Sequence, residues 1–547
     1  MEQAEKTGFR KWLPLMVMAL ALFIVILDTT IINVSIKAII GDLHSNLKAV
    51  QWVITGYSLM LAAFTITGGR LGDIFGRKRM FMIGAVVFAL GSLSASRAHS
   101  ASWLLVSVSL IEGAGAAMML PATASLILAE YRGKDRAVAF GVYGAIAGAA
   151  ATIGPIVGGY FTTNYSWRWN YLINPCVVAV LLASSFVLHE THERHPHKPD
   201  VVSILLSAFG LGGLVYGMIE SSTYGWLKAE APYEIFNRHY PLHGVSISAF
   251  SLAFGIILIA LFLWRQRVLE RKDKVPLVST ELLRTRQFIA GSTTVAIVAM
   301  SQFGLVFILP IFLQGMLGKD AFHAGLSLLP FSLAVLVAAP LSGILVGKKN
   351  VPPRWLIQAG LCVTLVGAFV LRSELSVTST VWTLVPGLAL FGFGFGLAFS
   401  QLANLTLSAV SVQQSGEASG VNNTFRQVGT SFGQALIGAL LISALATQLH
   451  RDVSSSTILP PAVKPQVAAA VAANAESLGT ATDASQTATL PKPVQAEILK
   501  IRNDAIVKGT RTGMVATIAI IGVGLAVSTA LPLRSQRSED FDAPSAG

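Results

Sequence analysis

Charge is scarce in this chain. Only 12% of its 547 residues are Asp, Glu, Lys or Arg, against about 25% in a typical soluble globular chain. With 53% hydrophobic residues and a mean hydropathy of +0.63, that deficit excludes a water-soluble fold and points to a protein that lives in a bilayer. Cysteine is nearly absent too. Cys176 and Cys362 each fall in an apolar run, where a thiol behaves as a small hydrophobe, so neither a disulfide framework nor a cysteine metal site is expected. The phosphate-binding pattern G-x-x-x-x-G-K-[ST] is missing, because Gly133-Lys134, Gly318-Lys319 and Gly347-Lys348 are each followed by Asp or Lys. One G-x-S-x-G occurs, at Gly429, Ser431 and Gly433, but inside an apolar segment rather than at a strand-to-helix turn. These absences leave no catalytic group, cofactor or metal to expect, and they argue against an enzyme.

What is present is a series of long apolar runs. Segments poor enough in charge, and long enough as helices, to cross a hydrocarbon core of roughly 30 Å recur at 12–36, 49–69, 80–96, 101–129, 137–167, 169–188, 201–219, 242–264, 288–318, 324–347, 355–371, 375–416, 427–449 and 512–533. That makes fourteen spans, provided that 375–416 is one span near 381–410, as its polar flanks suggest. The first run is too long for a removable leader and no small-residue cleavage site follows it, so it is expected to stay as the first span.

The 40 Lys and Arg exceed the 28 Asp and Glu, an excess that would suggest nucleic acid in a soluble chain. Here its distribution matters more, and no nucleic-acid partner is expected. With both termini on the cytoplasmic side of the inner (plasma) membrane, cytoplasmic segments hold about three times as many basic residues as the short outer loops, as the positive-inside rule requires. "NYSWRWNY", Asn164 to Tyr171, then sits at the outer interface, where Trp and Tyr anchor helices. Gly69 and Leu71 followed by Gly76-Arg77-Lys78 are echoed by Gly343 and Leu345 followed by Gly347-Lys348-Lys349. The echo suggests an all-α membrane protein of two six-helix halves, 1–190 and 288–547, with two inserted helices in 191–287. The Ala-, Ser- and Thr-rich stretch of about 450–510 is expected to be a long, mobile extracytoplasmic loop, with "PVQAEILKIRNDAIV" as a short helix in it.

The strongest local motif is "GGRLGDIFGRKRMF", Gly68 to Phe81. Glycines permit a sharp turn and close helix approach, and Asp73 stands where it can cap a helix or pair with Arg77 or Arg79. The basic residues alone would suit a loop that only fixes topology. They leave Gly69, Asp73 and Gly76 unexplained. The pattern resembles the G-x-L-x-D-x-x-G-R-K loop of the major facilitator superfamily at Gly69, Leu71, Asp73, Gly76, Arg77 and Lys78. That resemblance implies a major facilitator fold in which Asp73 and the cations Arg77, Lys78 and Arg79 act as a charged latch between helices.

In the fifth run, Gly144, Gly148, Gly154, Pro155, Gly158 and Gly159 leave a helix face nearly bare, with a kink expected at Pro155. Close packing would account for them, yet the G-P-x-x-G-G ending is similar to the motif that marks exporters in the superfamily. "LDTTIINVSI", "SWRWNYLIN", "YGW", "LPIFLQGMLG" and "GEASGVNNTFRQVG" further resemble the fourteen-helix drug:proton antiporters. The resemblance implies export of small amphipathic or cationic drugs and biocides in exchange for protons, by alternating access, from a monomer embedded in lipid. The alternative is an exporter of one endogenous metabolite or lipid on the same fold.

Two acids inside apolar runs remain, Asp28 and Glu112. Glu112 stands where the superfamily commonly has an R-x-x-Q-G signature, which here reads Ser109-Leu-Ile-Glu112-Gly113. A carboxyl inside a span costs on the order of 3 kcal/mol and faces a cavity or a partner. Both lie roughly 12 to 16 Å below the outer surface, counted at 1.5 Å per residue, and are expected to share one cavity in proton coupling and substrate binding. A neutral, hydrogen-bonded structural role is the plainer reading of each. Of the weaker signals, "HETHERHPHK" (His189 to Lys198) lacks metal spacing and reads as a solvated loop, "FGFGFG" (Phe391 to Gly396) lines a substrate path or packs, and Glu417 and Arg426 serve local structure or gating.

Overall fold

The computed structural model describes residues 11–45, 47–190, 200–229, 233–235, 238–240, 244–272, 274–411, 414–459 and 491–533. Among them are fourteen helices long and apolar enough to cross a membrane. In chain order they are α1 (Leu13–Asp42), α2 (Leu47–Phe75), α3 (Arg77–Ala95), α4 (Ala101–Glu130), α5 (Gly133–Asn164), α6 (Arg168–Ser184) and α7 (Val201–Tyr224). The remainder are α8 (Ile247–Arg271), α9 (Arg286–Met316), α10 (Leu329–Lys349), α11 (Pro353–Glu374), α12 (Val381–Leu407), α13 (Ser415–Ser455) and α14 (Lys492–Ser528). The run 375–416 holds one span, Val381–Leu407, opened by a capping box between Thr380 and Thr383. The connection between α7 and α8 holds a small antiparallel hairpin, β1 (Tyr233–Ile235) with β2 (Arg238–Tyr240), which the all-helical reading did not include.

The largest difference from the sequence reading is at the end of the chain. Residues 492–510, expected to be loop with a short helix at 493–507, are the continuous first half of α14, and α13 begins twelve positions before its expected start. Glu497, Lys500, Arg502, Asp504 and Lys508 hide the helix from a hydropathy count. Val494, Ile501 and Ala505 nevertheless recur at helical spacing and are buried in an apolar cluster with α9 and α12. The rest of the expected loop, 460–490, and most of the histidine-rich segment, 191–199, lie outside the described residues, and among the described residues no His, Cys, Asp or Glu group could hold a metal.

Buried apolar side chains form two large clusters, one drawn mainly from α1–α6 and one from α9–α14. They meet where small residues let helices touch. A Cβ added to Gly69 of α2 would strike the carbonyl oxygen of Gly416 on α13, and one added to Gly343 of α10 would come within 2.7 Å of the Ala137 carbonyl oxygen on α5. The two halves of the sequence echo therefore make two similar backbone crossings. Helices α7 and α8 pack on each other, and α7 leans on α2 and α13.

Candidate functional site

The loop between α2 and α3 builds a polar clasp on α13. Gly76, at φ +104°, takes a turn that residues with side chains rarely adopt, and a Cβ there would meet the Glu190 carboxylate at 2.9 Å. That carboxylate accepts the backbone N–H groups of Lys78 and Arg79 in the first turn of α3, while the Lys78 ammonium donates to the Leu188 carbonyl at 2.8 Å. Asp73 reaches the other way. Its Oδ1 accepts from Arg77 Nη2 at 3.1 Å and from Gly416 N at 3.2 Å, and its Oδ2 accepts from Glu417 N at 2.9 Å. Asp73 thus both pairs with Arg77 and caps a helix, and the helix is α13. Glu417 answers with an ion pair to Arg70 at 3.6 Å and accepts from Ser279 N at 2.6 Å, which ties in the segment after α8. Ser279 was missed by the sequence reading, and Glu190, at the head of the histidine-rich stretch, was read there as part of a solvated loop.

On α5 the glycines of the exporter-like motif face several neighbours. Gly144 lies against Ser400 of α12, Gly148 against Val335 of α10, Gly154 against Thr30 of α1, and Gly159 against Phe322. Pro155 packs at Gly325, and the Gly158 carbonyl accepts from Asn170 at 3.4 Å. A bare face is what lets α5 pass between α1 and α10.

Asp28 and Glu112 are brought together by a third residue. Asp28 on α1 is 4% exposed and Glu112 on α4 is fully buried. Glu112 ends a wide π-helical stretch, Leu105–Glu112, a distortion common at functional sites. Gly91 of α3 permits the approach, because a Cβ there would lie 2.6 Å from Glu112 N. Between the acids sits Asn174 of α6. Its amide nitrogen is 2.9 Å from Asp28 Oδ1, 3.0 Å from Glu112 Oε1 and 2.7 Å from Ser92 Oγ. Two amide hydrogens face three oxygens. The Ser92 hydroxyl donates to the Tyr171 carbonyl, and Glu112 Oε2 and Asn174 Oδ1 are buried without a hydrogen-bond partner. The cluster is short of donors, and one proton on either carboxyl supplies one.

A small, partly open cavity of about 30 Å³ lies nearby between the two sets of helices, lined by Leu22 and Ile26 of α1, Phe140 and Tyr143 of α5, Phe399 of α12, and Asn422, Asn423 and Arg426 of α13. Neither Asp28 nor Glu112 lines it. The "FGFGFG" glycines pack: Gly392 touches Phe331, Gly394 touches Thr364 and Gly396 touches Val335. Only the next aromatic on that helix, Phe399, reaches the cavity, stacked on Phe395 at 5.2 Å.

A membrane bundle closed around a central cavity, with a clasp joining its two sets of helices, defines a transporter rather than an enzyme. The chain belongs to the Major Facilitator Superfamily, whose family model matches residues 18–434, and with its fourteen spans to the multidrug-efflux type within it. It is 30% identical to the probable actinorhodin transporter of Streptomyces coelicolor, over 97% of this chain and 93% of that protein. It is 30% identical to the multidrug resistance protein Stp of Mycobacterium tuberculosis, over 80% and 77%, and 27% identical to the tetracenomycin C resistance and export protein of Streptomyces glaucescens, over 97% and 92%. Among solved structures, the human organic anion transporter MFSD10 shares the fold with a TM-score of 0.56 at 11% identity, covering 95% of this chain and 99% of that one. A bacterial homologue of Spinster does so with a TM-score of 0.55 at 15% identity, covering 99% and 100%.

Proposed function

We propose that this protein is a secondary active exporter of small amphipathic compounds, driven by protons moving the other way, with both termini cytoplasmic. Residues 1–190 and 288–547 form the two halves that rock about the cavity, and 191–287 supplies the inserted pair. The reading is carried by the donor-poor cluster of Asp28, Glu112 and Asn174, sealed from the cavity yet beside it. Such a cluster holds a proton while buried and releases it when the helices part and water reaches it, because burial disfavours the charged form of a carboxyl and a second carboxyl disfavours it further. The clasp at Asp73 closes the cytoplasmic end in one state and opens in the other. The likeness to a multidrug resistance protein and to a tetracenomycin C resistance and export protein supports the direction of transport.

The test is uptake of a panel of dyes and biocides into everted membrane vesicles, with and without a proton gradient. Accumulation that needs the gradient is expected. Accumulation unaffected when the gradient is collapsed would overturn proton coupling.

A further inference from the structure

Arg426 is the residue that neither the clasp nor the carboxyl cluster uses. It lies on α13 with its side chain lining the cavity, and among the described residues its guanidinium has no ion pair and no hydrogen bond. The phenols of Tyr143 and Tyr57 lie within electrostatic reach of it. No carboxylate lines the cavity, and the other polar side chains there, from Tyr143, Ser419, Asn422 and Asn423, are uncharged. An arginine inside a membrane bundle is costly and normally faces a partner. Among the described residues no carboxylate meets it, and the cavity it lines is walled by Phe140, Phe399 and aliphatic side chains.

We infer that Arg426 is the anchor of an anion subsite, and that the cargo this cavity takes is an amphipathic organic acid with an aromatic or aliphatic body and a carboxylate or phenolate. A guanidinium presents two parallel N–H donors that match a carboxylate, and its attraction for a negative charge is stronger where water is excluded than in bulk. Tyr143, Asn422 and Asn423 offer further donors at the rim of the same space. The apolar wall takes the body of the cargo, so the acid is held at one end and the ring at the other. This inference rests on the exporter reading, because it takes the cavity to be the place where cargo is held.

The probes are 9-anthracenecarboxylate and 9-(aminomethyl)anthracene, one ring system with opposite charges, titrated onto the full-length protein in nanodiscs of uncharged lipid and read by anthracene fluorescence anisotropy. The wild type should bind the carboxylate at least tenfold more tightly than the ammonium. Arg426→Gln should lose at least tenfold in carboxylate affinity with little change for the ammonium, whereas Arg426→Lys should lose less. Tyr143→Phe, which keeps the ring, should cost the carboxylate a few-fold and serves if Arg426→Gln does not insert. Equal or tighter binding of the ammonium, absent binding of the carboxylate, or unchanged carboxylate affinity in the variants that insert would overturn the inference. Binding is read without any gradient, so failure of proton coupling in the vesicle assay leaves this result standing, and the reverse also holds.

Discussion

The carboxylate of Asp73 accepts the backbone N–H of Glu417 at 2.9 Å, although 344 positions separate the two in sequence. One side chain at the end of α2 thereby supplies the cap for a helix that begins three hundred residues later. The Arg77 pair and the Arg70–Glu417 contact surround that bond with charge.

Asp73→Asn keeps the shape and one acceptor but removes the charge that strengthens these bonds about twofold over neutral ones. The variant should insert normally and export several-fold more slowly at matched expression. Gly69→Leu should be worse, with at least a tenfold loss, because its side chain is driven into the Gly416 carbonyl and the clasp cannot close. Unaltered export by both variants would remove the clasp from the transport cycle.

Asp28→Asn removes a titrating group while keeping nearly the same volume and a hydrogen bond to Asn174. Substrate-induced proton release from vesicles should stop in this variant and fall in Glu112→Gln, with correct insertion in both. Normal release by Asp28→Asn would make the aspartate a structural group between α1 and α6.

The chain's orientation is open to a direct reading. A reporter fused after Ser535 should be active only in its cytoplasmic form, given the basic bias of the segments assigned to that side. Activity on the outer face would invert the topology.

At the start of α7, hydrogen bonds from Arg265 hold the Asp200 carboxyl down at about 2, helped by the Ser203 hydroxyl. A depressed carboxyl stabilises the fold fully above its unfolded value, near 3.9, and loses that contribution as the pH falls toward 2. Asp200→Asn should therefore lower stability by about 1 kcal/mol, since the pair is partly exposed. The decrease in thermal midpoint should be the same at pH 7 and pH 5 and shrink by pH 3. A difference that already vanishes at pH 5 would contradict this.

The spans were legible because hydropathy integrates over about twenty residues, Asp28 and Glu112 because a charge in an apolar run stands out, and Asp73 because it stands at a fixed spacing among the glycines and cations of the Gly68–Phe81 motif. Asn174, Ser92, Glu190 and Ser279 were not, because a neutral or loop residue gains its role only from what the fold sets beside it. The first half of α14 was read only as a short helix inside a loop, for the opposite reason. Its charges mask an apolar stripe whose period is helical but whose average is polar. Arg426 was seen but assigned with Glu417 to local structure or gating, since linear spacing cannot tell which face of a helix meets a cavity.

Those two residues share α13, nine positions apart, so roughly 13 Å of one rigid rod separates the clasp from the cavity. A rod cannot move at one end alone. On the proposed transport cycle, the strength of the clasp would therefore set how rarely the cavity is offered to the cytoplasm, and cargo captured there would bind with an apparent affinity reduced by that fraction. Each 1.4 kcal/mol by which the clasp favours the closed form raises the concentration needed for half-occupancy about tenfold. If the clasp gates export as proposed, a compound below that concentration stays inside the cell, and the same few hydrogen bonds at Asp73 set the dose at which export begins.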